Sequence, residues 1–148
     1  PAKVLDPKQF ATKADYEQAL VDCLTQWSVD WVVLAGYMRL LGQPVIDAFD
    51  KRILNIHPSL LPAFKGLRAQ QQALDYGVKF SGATVHFVTR GMDEGPIILQ
   101  AVVPVFSDDT EQTLGERILL KEHEIYAQAV QLAVQGRLKI EGRLVTVI

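Results

Sequence analysis

The run DWVVLAG (residues 30–36) constrains the fold more than any other stretch of this chain. It is continuously apolar where a half-solvated strand would alternate, and it stops at a glycine. Such a run suits a strand covered on both faces, as in a parallel sheet. RILNIH (residues 52–57) reads as a second buried strand, and a sheet buried that way needs helices over its faces. The remaining sequence supplies them. In residues 12–28, Ala19, Leu20, Cys23, Leu24 and Trp27 recur near helical spacing, and Thr12 with Asp15 resembles a capping box. QPVIDAFD (43–50) is a short helix with Pro44 in its first turn, and LRAQQQALDYG (67–77) is a helix closed by Gly77. Residues 109–136 form a long helix with Asp109 or Thr110 at its start and Gly136 at its end.

Between those helices, SGATVHFVTR (81–90) and PIILQAVVPVF (96–106) read as strands joined by the tight turn GMDEG, with Pro104 marking an edge or a bulge. RLKIEGRLVTVI (137–148) reads as a closing hairpin turning at Glu141-Gly142. Strands that alternate with helices, then meet directly late in the chain, define an α/β fold with a mainly parallel sheet and a late antiparallel strand. Ligands of such sheets sit beyond the C-terminal ends of the strands. Three loops fall there: GYMRLLG, NIHPSLLP and TRGMDEG.

The 148 residues are about one domain's worth, and a hydrophobic fraction of 49% is enough for a real core. A net charge of −2 without a dense Lys/Arg run argues against nucleic acid or an anionic membrane as partner. No apolar run approaches the ~20 residues of a membrane-spanning helix, and the polar start PAKVLDPKQF has no signal-peptide core. The single Cys23 excludes an internal disulfide framework, and a reduced, cytoplasmic setting is expected. The chain begins without Met, so processing or an upstream segment is allowed for.

The chemistry concentrates in ILNIHPSLLPAFKG (53–66). Ile53, Leu54 and Ile56 anchor the strand, while Asn55 and His57 share one parity and so project the same way. Pro58 holds the backbone before it extended. An amide donor beside an imidazole suits a developing oxyanion, but the residues alone leave a structural histidine open as well. Asp93 sits in the Gly-flanked turn RGMDEG, either as an ordinary turn aspartate or as a carboxylate facing His57. A carboxylate beside an imidazole favours the imidazolium. Glu94 competes for that role, and spacing does not choose between them. His86 is expected to be structural, as is His123 in the long helix, and Ser59 is a loop or capping residue. No set of residues has convincing metal-ligand spacing, and the nucleophile-elbow, Walker and dinucleotide glycine motifs are absent from the sequence.

NIHPSLLPAFKG followed by ATVHFVTRGMDEGPIILQ resembles the folate-dependent formyltransferases, and the likeness runs from about residue 10 to about residue 140, including VVLAGYMRLL and ERILLKEHEIY. The joint pattern of Asn-x-His, SLLP and D-x-G-P-I-I is specific to that superfamily. Within it the chain is most similar to the branch that formylates glycinamide ribonucleotide in purine biosynthesis. The resemblance implies a Rossmann-like formyltransferase fold, 10-formyltetrahydrofolate as formyl-donating co-substrate, and no metal. It makes Asn55, His57 and Asp93 the catalytic set, with His57 and Asn55 stabilising a tetrahedral oxyanion and a water ordered by Asp93 and His57 relaying protons. It gives Met38, Arg39, Leu40 and Leu41 to the pterin end of the folate, together with Asn55 and the loop residues Val88, Thr89 and Arg90. Lys13 stands where relatives often have an arginine near the folate tail. The charge is kept and the planar fork is lost. Glu122 matches a ribose contact, and Ile56 and Pro58 flank the catalytic pair as substrate contacts. Leu119 replaces a polar contact of some relatives.

One departure is larger. Family members begin with a strand, a Gly-rich loop and a helix, and that loop holds the substrate phosphate through backbone N–H groups. Residues 1–148 are therefore expected to be the C-terminal three quarters of a single formyltransferase domain lacking its first βαβ portion. The other partner candidates are a complementing N-terminal segment and a second copy in a homodimer. A chain without the phosphate loop is expected to bind the nucleotide poorly. The competing functions are hydrolysis of 10-formyltetrahydrofolate, transfer to initiator methionyl-tRNA, and an inactive folate-binding fragment. HPSLLP and the EHEIY helix favour the nucleotide branch over the first, and the acidic chain with Ala63-Phe64-Lys65 after SLLP disfavours the second.

Overall fold

The computed structural model describes residues 2–148. Helix α1 (Lys13–Gln26) starts at the expected capping box: Thr12 Oγ1 accepts from Asp15 N at 3.1 Å, and the Asp15 carboxylate accepts from Thr12 N at 3.1 Å. Strand β1 (Val32–Leu34), helix α2 (Gln43–Ala48) with Pro44 in its first turn, and strand β2 (Ile53–His57) follow. Helix α3 (Ala69–Tyr76) closes at Gly77, whose φ of 79° only glycine adopts without strain. Strands β3 (Phe80–Phe87) and β4 (Ile97–Pro104) meet through the glycine turn. Thr110, not Asp109, caps the long helix α4 (Glu111–Val134). Asp109 instead takes a two-pronged contact from Arg117, 2.8 Å to each carboxylate oxygen, and this pairing holds its carboxyl well below the usual range. Strands β5 (Leu138–Glu141) and β6 (Leu144–Val147) form the terminal hairpin.

The main sheet has the order β1-β2-β3-β4 and mixes parallel and antiparallel pairs between helices. The balance differs from the expected one. Among the described residues only β1·β2 is parallel, whereas β2·β3 and β3·β4 are antiparallel. The cause is the length of α3, whose 8 residues span only ~12 Å. His57 pairs with Thr84, so β3 begins at Phe80 beyond the end of β2 and re-enters the sheet from the side the chain left it. β1 is also shorter and more open than its apolar run suggests, with Val33 43% exposed on an outer strand. Pro104 ends the other outer strand opposite Phe80 as expected, but the irregular register lies at that strand's other end, where Val85 and His86 pair with Leu99 and Ile97 and Ile98 is the extra residue.

The inner strands β2 and β3 are covered on both faces. Successive side chains point to opposite sides, and Ile53 and Leu54, at 1% and 0% exposed, enter different apolar clusters. Leu54 joins Val85, Phe87 and the α4 stripe of Leu114, Ile118, Ile125 and Ala129. Ile53 joins Leu41, Val45, Ile46 and Phe49, against which α1 packs Leu20, Val21 and Leu24. Tyr126 of α4 donates to Leu34 O at 2.6 Å and Leu54 O at 3.1 Å, tying the end of β1 to the body of β2. Asn55 and His57 have the parity of Ile53, so their side chains leave the sheet on the α1–α2 side.

Candidate active site

A cavity of about 370 Å³ lies at the ends of β1 and β2, bounded by the three loops named from the sequence. Leu34, Tyr37, Met38, Arg39, Leu40 and Leu41 form one wall. Asn55, Ile56, His57 and Pro58 form the floor, with His86, Val88, Thr89 and Asp93 opposite the wall. Arg90, Glu122 and Lys13 lie outside the lining. Arg90 belongs to the same exposed turn. Glu122 sits on α4, where burial pushes its carboxyl up while His123 and His57 pull it back, so it stands within electrostatic reach of the site. His123 is exposed, as is Leu119. Lys13 Nζ is 3.4 Å from Glu17 Oε1.

His57 is 5% exposed and committed on both ring nitrogens. Nε2 lies 2.8 Å from Phe64 O, and because a carbonyl only accepts, Nε2 carries the hydrogen. Nδ1 faces Asp93 Oδ2 at 3.4 Å. Asp93 Oδ2 also accepts from Gly66 N at 2.9 Å, which joins its turn to the loop after SLLP. Asp93 has φ 52°, a left-handed conformation that aspartate tolerates better than most residues. Glu94 points elsewhere. Its carboxylate pairs with Lys65 at 2.9 Å and its carbonyl accepts from Arg143 at 2.9 Å. The choice that spacing left open therefore falls to Asp93.

His86 was expected to be structural, yet it belongs to the site. It is 2% exposed and lies directly opposite Asn55 in the antiparallel pair, where side chains share a face. Its Nδ1 donates to Phe87 O at 2.9 Å, which leaves Nε2 to accept from Asn55 Nδ2 at 3.4 Å. Burial lowers the His86 pKa, consistent with the neutral ring this arrangement needs. Asp93 Oδ1 is 3.8 Å from the same Nε2. One Asn55 N–H is thus oriented by His86, and the other remains for a ligand. No spacing in the sequence shows this. The signal is the antiparallel register of β3 on β2, which a parallel expectation hides.

The SLLP loop is held from below. Thr84, fully buried opposite His57, donates to Ser59 O at 2.7 Å and accepts from Leu61 N at 3.1 Å. Gln100 of β4 donates to Thr84 Oγ1 and Leu61 O at 2.9 and 3.0 Å. Ser59 Oγ donates to Ala63 O at 2.5 Å and is fully buried, so it is a loop residue as expected. Among the described residues, no group of three or more His, Cys, Asp or Glu side chains is placed to hold a metal ion, and no helix is long and apolar enough to cross a membrane. The cleft offers a fixed amide N–H, a histidine–aspartate pair able to move a proton, and an apolar wall for a flat ligand.

That combination suits transfer of a small acyl group between two bound molecules. A family model described as formyl transferase matches residues 1–130, and the chain belongs to that family. It is 44% identical over 131 residues to the phosphoribosylglycinamide formyltransferase of Bacillus subtilis, covering 88% of this chain and 67% of that protein. It is also 44% identical over 146 residues to the trifunctional purine biosynthetic protein adenosine-3 of Bos taurus, covering 97% of this chain and 14% of that longer protein. The crystal structure of glycinamide ribonucleotide transformylase 1 from Symbiobacterium toebii superposes with a TM-score of 0.95 at 57% identity, covering 97% of this chain and 68% of that one. The chain thus spans about two thirds of the single-function relative and a small part of the trifunctional one.

Proposed function

We propose that this chain carries the transfer site of a phosphoribosylglycinamide formyltransferase. It would move a formyl group from 10-formyltetrahydrofolate to the amine of glycinamide ribonucleotide, giving formylglycinamide ribonucleotide and tetrahydrofolate in purine biosynthesis. The observation that carries this is the convergence of Asn55, His57, His86 and Asp93 at one end of an apolar cavity. The names of the relatives support the choice of acceptor. The wall at 37–41, with Val88 and Thr89 across from it, takes the pterin end of the folate, and Lys13 and Arg90 reach toward its outer parts. Glu122 lies toward the nucleotide, with Ile56 and Pro58 beneath it.

The amine nitrogen attacks the formyl carbon, and the carbonyl electron pair moves to oxygen. The free N–H of Asn55, aimed by His86, donates to that oxyanion. Because His57 Nε2 is fixed on Phe64 O, the Nδ1 edge and Asp93 are the parts left to take the proton from the amine and return one to N10 as the C–N10 bond breaks. This divides the work expected of the pair: Asn55 serves the oxyanion and His57 acts with Asp93 on protons.

The test offers the protein 10-formyltetrahydrofolate with glycinamide ribonucleotide, with water alone, or with initiator methionyl-tRNA, and follows tetrahydrofolate release and formylated product. Formylglycinamide ribonucleotide as the dominant product is the expected result. Folate turnover that is unchanged when the nucleotide is omitted would instead mark a hydrolase.

A further inference from the structure

Glu17 has no part in the chemistry above, yet it is 3% exposed. Removing a carboxylate from water is unfavourable unless fixed partners replace the solvent. Glu17 has two such partners. Gly42 N–H donates to Oε1 at 2.7 Å, and Lys13 Nζ lies 3.4 Å from the same oxygen. The carboxylate lies so close over Gly42 that a Cβ there would collide with it. Gly42 has φ −86°, which any residue adopts, so what a side chain at this position would disturb is the Glu17 carboxylate, which would have to swing off the backbone N–H, and not the backbone conformation.

Gly42 is also where the cavity wall ends and α2 begins. Residues 36–41 are in neither helix nor strand, and among the described residues none of them makes a backbone–backbone hydrogen bond outside those elements. The wall is therefore fixed from its ends and from behind. Tyr126 holds Leu34 O at its start, and Glu17 holds Gly42 N–H at its finish. Leu41, 7% exposed, packs with Val45 and Ile46 beside that second anchor. Tyr37 rests its hydroxyl against Tyr16, the neighbour of Glu17 on α1, and burial pushes that hydroxyl up, so it stays a neutral hydrogen-bonding group.

We propose that Glu17 is a positioning residue for the co-substrate cleft: its buried carboxylate, tied to Gly42, sets the wall of residues 37–41 and so the affinity for the folate. The proposal rests on the folate reading of that cavity. It also gives Lys13 a second task, compensating the Glu17 charge from the exposed side of α1.

The test measures tetrahydrofolate affinity by calorimetry and steady-state constants for both substrates in wild type, Glu17→Ala, Glu17→Gln and Gly42→Ala. Glu17→Ala removes the acceptor, and Gly42→Ala keeps the charge but forces it off the backbone. Each is expected to weaken tetrahydrofolate by about tenfold or more, the loss of a hydrogen bond to a charged group. Turnover at saturating folate and the KM for glycinamide ribonucleotide should stay within about twofold, since no catalytic group moves. Glu17→Gln, which keeps an oxygen acceptor, should recover most of the affinity. The proposal is overturned by folate affinity within about twofold of wild type in both Glu17→Ala and Gly42→Ala. Equal losses in turnover and in both KM values, or variants that do not fold, also overturn it, because Glu17 is then only structural. Wild type that binds tetrahydrofolate without formylating the nucleotide refutes the proposed function alone. Wild type that binds no tetrahydrofolate refutes both.

Discussion

Asp93→Asn isolates the charge of the histidine–aspartate pair from its shape. Asparagine is close in size and, like aspartate, accepts the left-handed φ of 52° at this position, so the turn survives. Its amide oxygen still accepts from Gly66 N–H. What disappears is a negative charge 3.4 Å from His57 Nδ1. Unit charges at that distance attract by about 5 kcal/mol at an effective dielectric of about 20, a fitting value for side chains 7% and 12% exposed. An asparagine dipole replaces part of that attraction, so the full amount is a ceiling of between about 10³ and 10⁴ in rate. A lost general base alone accounts for about 10² to 10⁴. A fall in kcat of about 10³ is therefore expected, with the KM for 10-formyltetrahydrofolate within about threefold because Asp93 supports the wall only at a distance. Single-turnover formyl transfer at saturating substrates reads the chemical step directly. Glu94→Gln is the control: its carboxylate faces Lys65 at the exposed rim, and turnover should stay within about twofold. A kcat for Asp93→Asn within about threefold of wild type would refute the proton-moving role, and a large effect confined to Glu94→Gln would transfer that role to the neighbouring carboxylate.

Three further outcomes follow from the same geometry. His86→Leu removes the acceptor that aims Asn55 and should lower kcat by about tenfold while sparing folate affinity. It should also flatten stability against pH. Burial lowers the native His86 pKa from 6.5, so below 6.5 the unfolded chain binds the proton first, and stability falls as pH drops toward the lowered native value. Urea midpoints at neutral and mildly acidic pH measure the difference. Glu122 has the opposite sign: burial raises its native pKa above 4.5, so the native state holds more protons between 4.5 and that raised value, and stability falls as pH rises through the window. Glu122→Gln should therefore raise the melting temperature at pH 7, and on the proposed reading it should raise the KM for the nucleotide. Tyr126→Phe loses the hydroxyl shared between Leu34 O and Leu54 O and should cost about 1 kcal/mol in denaturant unfolding.

What the sequence reveals follows the range over which its signals act. Thr12 and Asp15, Pro44, Gly77, Gly136 and the 53–57 strand are local devices, and each does in the fold what its pattern implies. Asn55 and His57 are legible for the same reason, since a two-residue spacing on one strand decides their common face. Register between strands is a non-local property. The antiparallel entry of β3 depends on a short α3 that turns back rather than crossing the sheet, and nothing in SGATVHFV announces it. That single fact moves His86 from an ordinary core position to the residue that aims Asn55, and it places Thr84 under the SLLP loop. Glu17 is hidden in a different way. In sequence it is one charge on an amphipathic helix, and only the approach of Gly42, 25 positions away in the chain, shows that the charge is buried and held. The side chains proposed to be catalytic thus project from a strand that local pattern identifies, while the residues that hold and aim them arrive through contacts between distant segments. The single-strand pair Asn55–His57 is therefore readable without a fold, but its chemistry depends on partners that the fold alone supplies.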